Sequence, residues 1–141
     1  MGAPLLEDFC RIYQNLDRNN LHQLKEVYSE QVEFVDAVEG LKGLDALTEY
    51  FQHLYENMND CRFIIKETIE QDGKACIIWR MEYSHQKINA GKMIHVEGSS
   101  FLTFSEKIDF HRDYVDMGQM LYEHIPLVGL VIKGIKKRVR T

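Results

Sequence analysis

Near the end of the chain, in Lys107–Asp116 (KIDFHRDYVD), an imidazole and a carboxylate stand two residues apart. Read with period two, His111 and Asp113 share one face with Asp109 and Val115. Ile108, Phe110, Arg112 and Tyr114 share the other. Such a strand, set between aromatic and β-branched flanks, either faces water or lines a cavity that needs acid and base groups. Histidine is the side chain most easily tuned near neutral pH, so His111 beside Asp113 fits a base-orienting pair. Alone, it is better read as a buried histidine bonded to a backbone carbonyl; together with Asp36, Arg80 and Glu82 the pocket reading is preferred. A second alternation runs through Ala75–His85, where Cys76, Ile78, Arg80, Glu82 and Ser84 oppose Ile77, Trp79, Met81 and Tyr83. The face with Arg80 and Glu82 reads either as a surface ion pair worth under ~1 kcal/mol or as a pocket wall flanked by Cys76 and Ile78. The Trp79 face must be buried against something large, either helices or a second subunit.

Several other chemistries find no support. His22, His53, His85, His95 and His124 show no metal-ligand spacing, so no metal is expected. There is no GxSxG elbow and no glycine-rich phosphate loop, and nothing marks Cys76 as an activated thiolate. No cofactor is expected. A net charge of −5 argues against a nucleic-acid partner. Cys10, Cys61 and Cys76 are odd in number and lack CxxC spacing, which disfavours a disulfide framework and favours a reducing, cytoplasmic home. No signal peptide is visible and no apolar run approaches the ~20 residues of a membrane span, so stable membrane insertion is not expected. A chain of 141 residues is long enough for one domain, residues 1–141, with its own core.

The elements that must position these residues follow from periodicity. Leu5-Leu6, Phe9-Cys10, Tyr13 and Leu16 predict a first amphipathic helix, and LHQLKEVYSE a second, capped by Asn20. Val32–Val38 predicts a short strand closed by Glu39-Gly40. Leu44, Leu47, Tyr50-Phe51, Leu54 and Tyr55 predict a third helix. Antiparallel strands follow at Arg62–Glu70, Ala75–His85, Lys92–Phe104 and Lys107–Asp116, with an Asp72-Gly73 hairpin and a bulge or bend at Gly98. This order is α+β: three N-terminal helices on a strongly curved, mostly antiparallel sheet that leaves a conical cavity. Beyond Pro126, residues 127–141 predict a short basic helix or tail. Its apolar side either caps the cavity mouth, the preferred reading, or meets a membrane surface or acidic partner.

The order of elements, together with VEFVDAVEG, LDALTEYF and KIDFHRDYVDMG, resembles the nuclear-transport-factor-2-like superfamily from Leu5 to Gly118. Within it the likeness is to the SnoaL-like branch of polyketide cyclases, ketosteroid isomerases and limonene epoxide hydrolases. Arg80-Met81-Glu82 and Arg112-Asp113-Tyr114 resemble the two motifs of the epoxide hydrolase site. That resemblance implies Asp113 as the base activating a water, Arg80 as the charged bridge and Glu82 as proton donor. Glu82 stands where that family has Asp, and Phe34 and Asp36 where it has a water-holding Tyr and Asn. The isomerase comparison implies Asp36 as base, with Tyr13 beside the position of its oxyanion-hole Tyr and Ser100 at that of its protonated Asp.

The expectation is therefore a SnoaL-like pocket protein for a small, mostly apolar oxygenated molecule. It would be a cofactor-independent epoxide hydrolase, isomerase or cyclase, or else a non-catalytic binding or interaction module. The acid–base set is Asp113, Arg80, Glu82, Asp36 and His111, with Phe34, Tyr13, Cys76, Ile78 and Ser100 around the ligand. A homodimer through the outer sheet face, placed at Trp79, completes the expectation.

Overall fold

The computed structural model describes residues 2–37, 40–85, 89–120 and 128–140. Helix α1 (Gly2–Asn15) and a six-residue 3-10 segment (Leu21–Glu26) lead into strands β1 (Tyr28–Val35) and β2 (Gly40–Lys42). Helix α2 (Leu44–Asn57) then precedes four long strands, β3 (Asn59–Gln71), β4 (Lys74–Ser84), β5 (Ile94–Phe104) and β6 (Ile108–Val115). Two further helices, α3 (Met117–Met120) and α4 (Val128–Arg140), follow. One curved sheet holds the strands in the order β2-β1-β6-β5-β4-β3. All neighbours are antiparallel except β1 and β6, which run parallel.

The α+β class and curved sheet agree with the sequence reading. The second expected helix does not form beyond one 3-10 segment, because Tyr28 already pairs with Ile108 of β6. Val27 and Tyr28, β-branched and aromatic, suit a strand better than a helix end. The hairpin at Asp72-Gly73 forms with both residues at positive φ (49° and 75°), the conformation a tight two-residue connection needs. Val38 of the expected strand, Glu39 of the expected turn, residues 86–88 of the expected loop, and His124 and Pro126 lie outside the described residues.

Helices α1 and α2 cover the inner face of the sheet. Phe9 and Tyr13 of α1, Phe51 of α2 and Phe34 of β1 interlock by ring contacts, with centroid separations of 4.5 Å for Phe9–Tyr13 and 5.9 Å for Phe34–Phe51. Strand β4 alternates cleanly: Ala75, Ile77, Trp79, Met81 and Tyr83 are buried inward, and Cys76, Ile78, Arg80, Glu82 and Ser84 look outward. Two other strands break strict alternation. In β3 the pairing slips between Ile65 and Glu67, so Ile69 crosses to the outer face opposite Cys76 and is exposed there. Between β5 and β6 it slips beside Asp109, which puts Ile108 on the same buried side as His111. The simple two-residue parity of the sequence placed that pair on opposite faces.

Gly98 marks no bulge, because the β4–β5 register runs unbroken through its pairing with Trp79. Its lack of a side chain answers a close approach instead. A methyl group added there would lie 2.5 Å from Cη2 of Trp79 and 2.7 Å from the carbonyl oxygen of Tyr114. Gly98→Ala is therefore expected to cost about 1–3 kcal/mol through overpacking against an indole and a backbone that cannot both retreat. Gly134→Ala in α4 is the matched control, since its added methyl meets nothing within 4 Å. Urea unfolding of both variants measures this, and an unchanged midpoint for Gly98→Ala would remove the packing argument.

Candidate functional site

Three adjacent strands each turn one polar group inward at the same level. Pairing sets Ser100 of β5 opposite Asp113 of β6, and Trp79 of β4 lies two residues along from Ile77, the partner of Ser100. From this register a continuous hydrogen-bonded chain is built. The Trp79 indole N–H donates to Ser100 Oγ at 2.9 Å, and the Ser100 hydroxyl donates to Asp113 Oδ1 at 2.5 Å. The same Oδ1 lies 2.5 Å from His111 Nε2. On its far side His111 Nδ1 meets the Tyr28 hydroxyl at 2.6 Å, which meets the Tyr13 hydroxyl at 2.6 Å. His111 is 1% exposed and the Asp113 side chain 21%. The carboxylate is thus the member of the pair that a ligand can reach.

Donor accounting fixes the roles. An ionised Asp113 only accepts, so Nε2 of His111 carries a proton and donates to it. Nδ1 of a neutral ring then accepts from Tyr28, which accepts from Tyr13. If the ring takes a second proton, Nδ1 donates to Tyr28 and the direction of both phenol bonds reverses. Burial pushes both phenols well above their usual range; the Asp113 charge adds to this for both and Tyr28 adds to it for Tyr13, while the bond from Tyr13 offsets part of it for Tyr28. They therefore stay protonated and can act in either direction. Asp113 Oδ1 carries two charge-assisted bonds, which leaves Oδ2 as the oxygen available to a bound molecule.

Asp113 opens on a cavity of about 80 Å³, measured as space for the centres of water-sized molecules. Its wall is mostly apolar, drawn from Phe34, Phe51, Leu54, Phe63, Trp79 and Met81 among others, and Tyr13 also lies on it. The second carboxylate on the wall is Asp36, whose Oδ2 accepts a hydrogen bond from the hydroxyl of Tyr50, another lining residue. The structure thus brings Asp113, Asp36, Phe34 and Tyr13 to one cavity and sets His111 and Ser100 directly behind Asp113.

Arg80, Glu82, Cys76 and Ile78 are not there. They occupy the outer face of β4, so the expected pocket wall is corrected: the inward positions belong to Trp79 and Met81. On the outer face Glu82 bonds Arg62 at 2.6 Å, lies 3.2 Å from His95 and stands 3.6 Å from Arg80. The hydrogen bond from Arg62 chiefly, with His95 and Arg80 adding to it, holds the Glu82 carboxyl below its usual range. A carboxylate so held is a poor proton donor. Trp79, expected on an outer dimer face, likewise lies inside. Tyr28 and Tyr50 were missed, since both fall in apolar stripes that look like plain core. No cluster of His, Cys, Asp and Glu able to hold a metal occurs among the described residues.

Burial also pushes the phenol of Tyr55 up, and that of Tyr83 up to about 12. In the unfolded chain all four of these phenols ionise near pH 10. Their contribution to stability is therefore intact below about pH 10 and is lost as pH rises beyond it, by up to about 1.4 kcal/mol per pH unit for each phenol. In an alkaline titration their tyrosinate absorbance is expected to appear together with loss of the fold. Ionisation of all four within a still-folded protein would contradict the buried chain.

The profile of the SnoaL-like domain matches residues 9–109, most of the chain. A nuclear-transport-factor-2-like protein of unknown function from Burkholderia pseudomallei superposes with a TM-score of 0.73 at 12% identity, covering 84% of this chain and 92% of that one. A protein of ketosteroid isomerase-like fold from Catenulispora acidiphila, solved with trimethylamine, gives 0.72 at 10% identity over 85% and 90% of the two chains. A protein from Acidithiobacillus ferrooxidans, provisionally named a polyketide cyclase, gives 0.68 at 17% identity over 86% and 94%. At such identities the likeness shows the fold alone. No curated protein matches the chain in sequence. On the family match and the shared architecture, this chain belongs to the SnoaL-like domain family and has the nuclear-transport-factor-2-like fold.

Proposed function

We propose that the protein binds a small, mostly apolar molecule with one oxygen function and moves a proton on it without a cofactor, using Asp113. The observation that carries this reading is a carboxylate on an apolar cavity wall whose Oδ1 is held by both His111 and Ser100. Such a group can take a proton from a carbon beside a carbonyl through Oδ2, the bonding electrons passing to the carbonyl oxygen as an enolate. The proton then returns at another carbon; in a molecule with a second carbonyl the enolate carbon adds to that carbon instead, the π electrons pass to its oxygen, and the alkoxide takes the proton back from Asp113. Asp36, held by Tyr50, supplies a second polar point on the wall, able to accept a hydrogen bond from a ligand hydroxyl. Structural neighbours provisionally named polyketide cyclase or isomerase support this chemistry. Epoxide hydrolysis is supported less, because Arg80 and Glu82 lie on the other face of the sheet.

The test is exchange of α-protons with deuterated water, followed by NMR over a panel of small cyclic ketones and enones. Asp113→Asn is expected to lose about 10²–10⁴-fold in rate, the span of general acid–base catalysis. His111 and Tyr28 are positioning residues. His111→Gln and Tyr28→Phe are expected to lower the rate about tenfold or more and to shift its pH profile. Asp113→Asn exchanging as fast as the wild type would overturn the reading. The almost wholly apolar wall also suits a module that binds without turnover. A copurified ligand found unchanged by native mass spectrometry after incubation would favour that second reading.

The three unpaired cysteines suit a reducing, cytoplasmic setting. A homodimer fits the outer sheet face, where Ile69 and Tyr114 are exposed beside the half-buried Ile78, Phe101 and Phe110. Sedimentation velocity is expected to show a dimer at micromolar concentration and a monomer for Phe101→Glu. A wild-type monomer would remove the dimer.

A further inference from the structure

Helix α4, Val128–Arg140, has no part in the cavity chemistry and differs in charge from everything before it. Its 13 residues contain Lys133, Lys136, Lys137, Arg138 and Arg140 and no acidic residue. The whole chain holds 17 basic and 22 acidic residues, so the remainder carries twelve against 22, a net of −10 beside the helix's +5. Spacing then sorts the helix. Val131, Ile135 and Val139 recur every four residues and form one stripe. They are 61%, 57% and 82% exposed, so this stripe is not what caps the cavity mouth. At about 100° per residue, Lys136 and Arg138 flank the stripe on its two sides, and Lys133 and Lys137 lie across from it.

We propose that α4 is a reversible docking helix for an anionic lipid surface. Charge and apolar stripe point to the same partner. Lys136 and Arg138 can lay their stems along the acyl boundary and keep their charges at the phosphates, while Val131, Ile135 and Val139 enter between them. Nζ of Lys136 stands 4.0 Å from Asp116 Oδ1 in a half-exposed pair that lipid phosphates would compete for. Small aliphatic side chains in a stripe need no matching groove in a lipid surface, as they would on an acidic protein. At 13 residues the helix is about 20 Å long, short of the roughly 30 Å hydrocarbon core, so it lies on the surface and does not cross. The acidic remainder is repelled by the same surface, which confines contact to the helix and keeps attachment weak and sensitive to salt. This inference goes beyond the proton-transfer reading and stands without it.

The test is co-sedimentation of the full chain with phosphatidylcholine vesicles, with or without roughly 30 mol% phosphatidylglycerol, at about 0.1 M and about 0.5 M salt. Binding is expected only with the anionic lipid and is expected to fade at high salt. Lys136→Gln with Arg138→Gln is expected to weaken it about 25-fold, roughly fivefold per charge. Ile135→Ser with Val139→Ser is expected to weaken it severalfold at unchanged charge, while Lys66→Gln with Lys74→Gln leaves it intact. Circular dichroism checks that each variant is folded. No binding, equal binding to neutral vesicles, or binding indifferent to the Lys136 and Arg138 changes would overturn the proposal. So would binding indifferent to the Ile135 and Val139 changes and matched by polyglutamate, which would assign the helix to acidic polypeptides.

Discussion

One oxygen atom, Oδ1 of Asp113, accepts hydrogen bonds from His111 and Ser100 in a largely buried setting, and most of the architecture follows from satisfying it. A charge so placed is tolerated only when its partners are complete and held at fixed distances. Those partners come from separate elements. Tyr13 belongs to α1, Tyr28 to β1, His111 and Asp113 to β6, Ser100 to β5 and Trp79 to β4. The polar chain therefore ties five elements into one register. A slip of one residue in any of them would turn a member to the wrong face and leave its neighbour buried without a partner.

The register depends on departures from regular pairing. In β6 the slip beside Asp109 lets Ile108 fill the core while His111 still turns inward to meet Tyr28. In β3 the slip after Ile65 keeps Phe63 against Trp79, at 5.4 Å between centroids, and sends Ile69 outward. Gly98 then admits the Trp79 ring over β5, which brings the indole N–H to Ser100. Each device is local, and each places one member or one supporting contact of the same chain.

These devices also explain how far the sequence could be read. The α+β order, the third helix, the Asp72-Gly73 hairpin and the spacing of His111 and Asp113 were legible because each rests on neighbours in the chain. Bulges were not, since an extra residue leaves no mark in hydrophobic alternation when both strand faces carry apolar groups. Strand β4 shows the cost of that ambiguity. Arg80 and Glu82 looked like cavity chemistry because charged residues draw the eye, yet Trp79 and Met81 bury more apolar surface, and the inward face went to them. Arg62 and His95, distant in sequence, then gather around Glu82 as an ion cluster on the outward face. Tyr28 was illegible for a related reason: its hydroxyl, which gives it a role, sits on a ring that looks like core.

The choice of a phenol behind His111 has a consequence that a backbone carbonyl would not give. A carbonyl only accepts, so it would hold Nδ1 as N–H and present a bare Nε2 of a neutral ring to the Asp113 oxygen, a repulsive arrangement unless one of the pair took a further proton. A hydroxyl accepts or donates. With Tyr28 in that place the same heavy-atom positions suit a neutral ring donating to a carboxylate and a charged ring paired with it, and Tyr13 follows either direction. The surrounding apolar wall makes any uncompensated charge expensive. A site whose bonds can reverse without moving atoms therefore keeps the Asp113 oxygen partnered with either form of the ring.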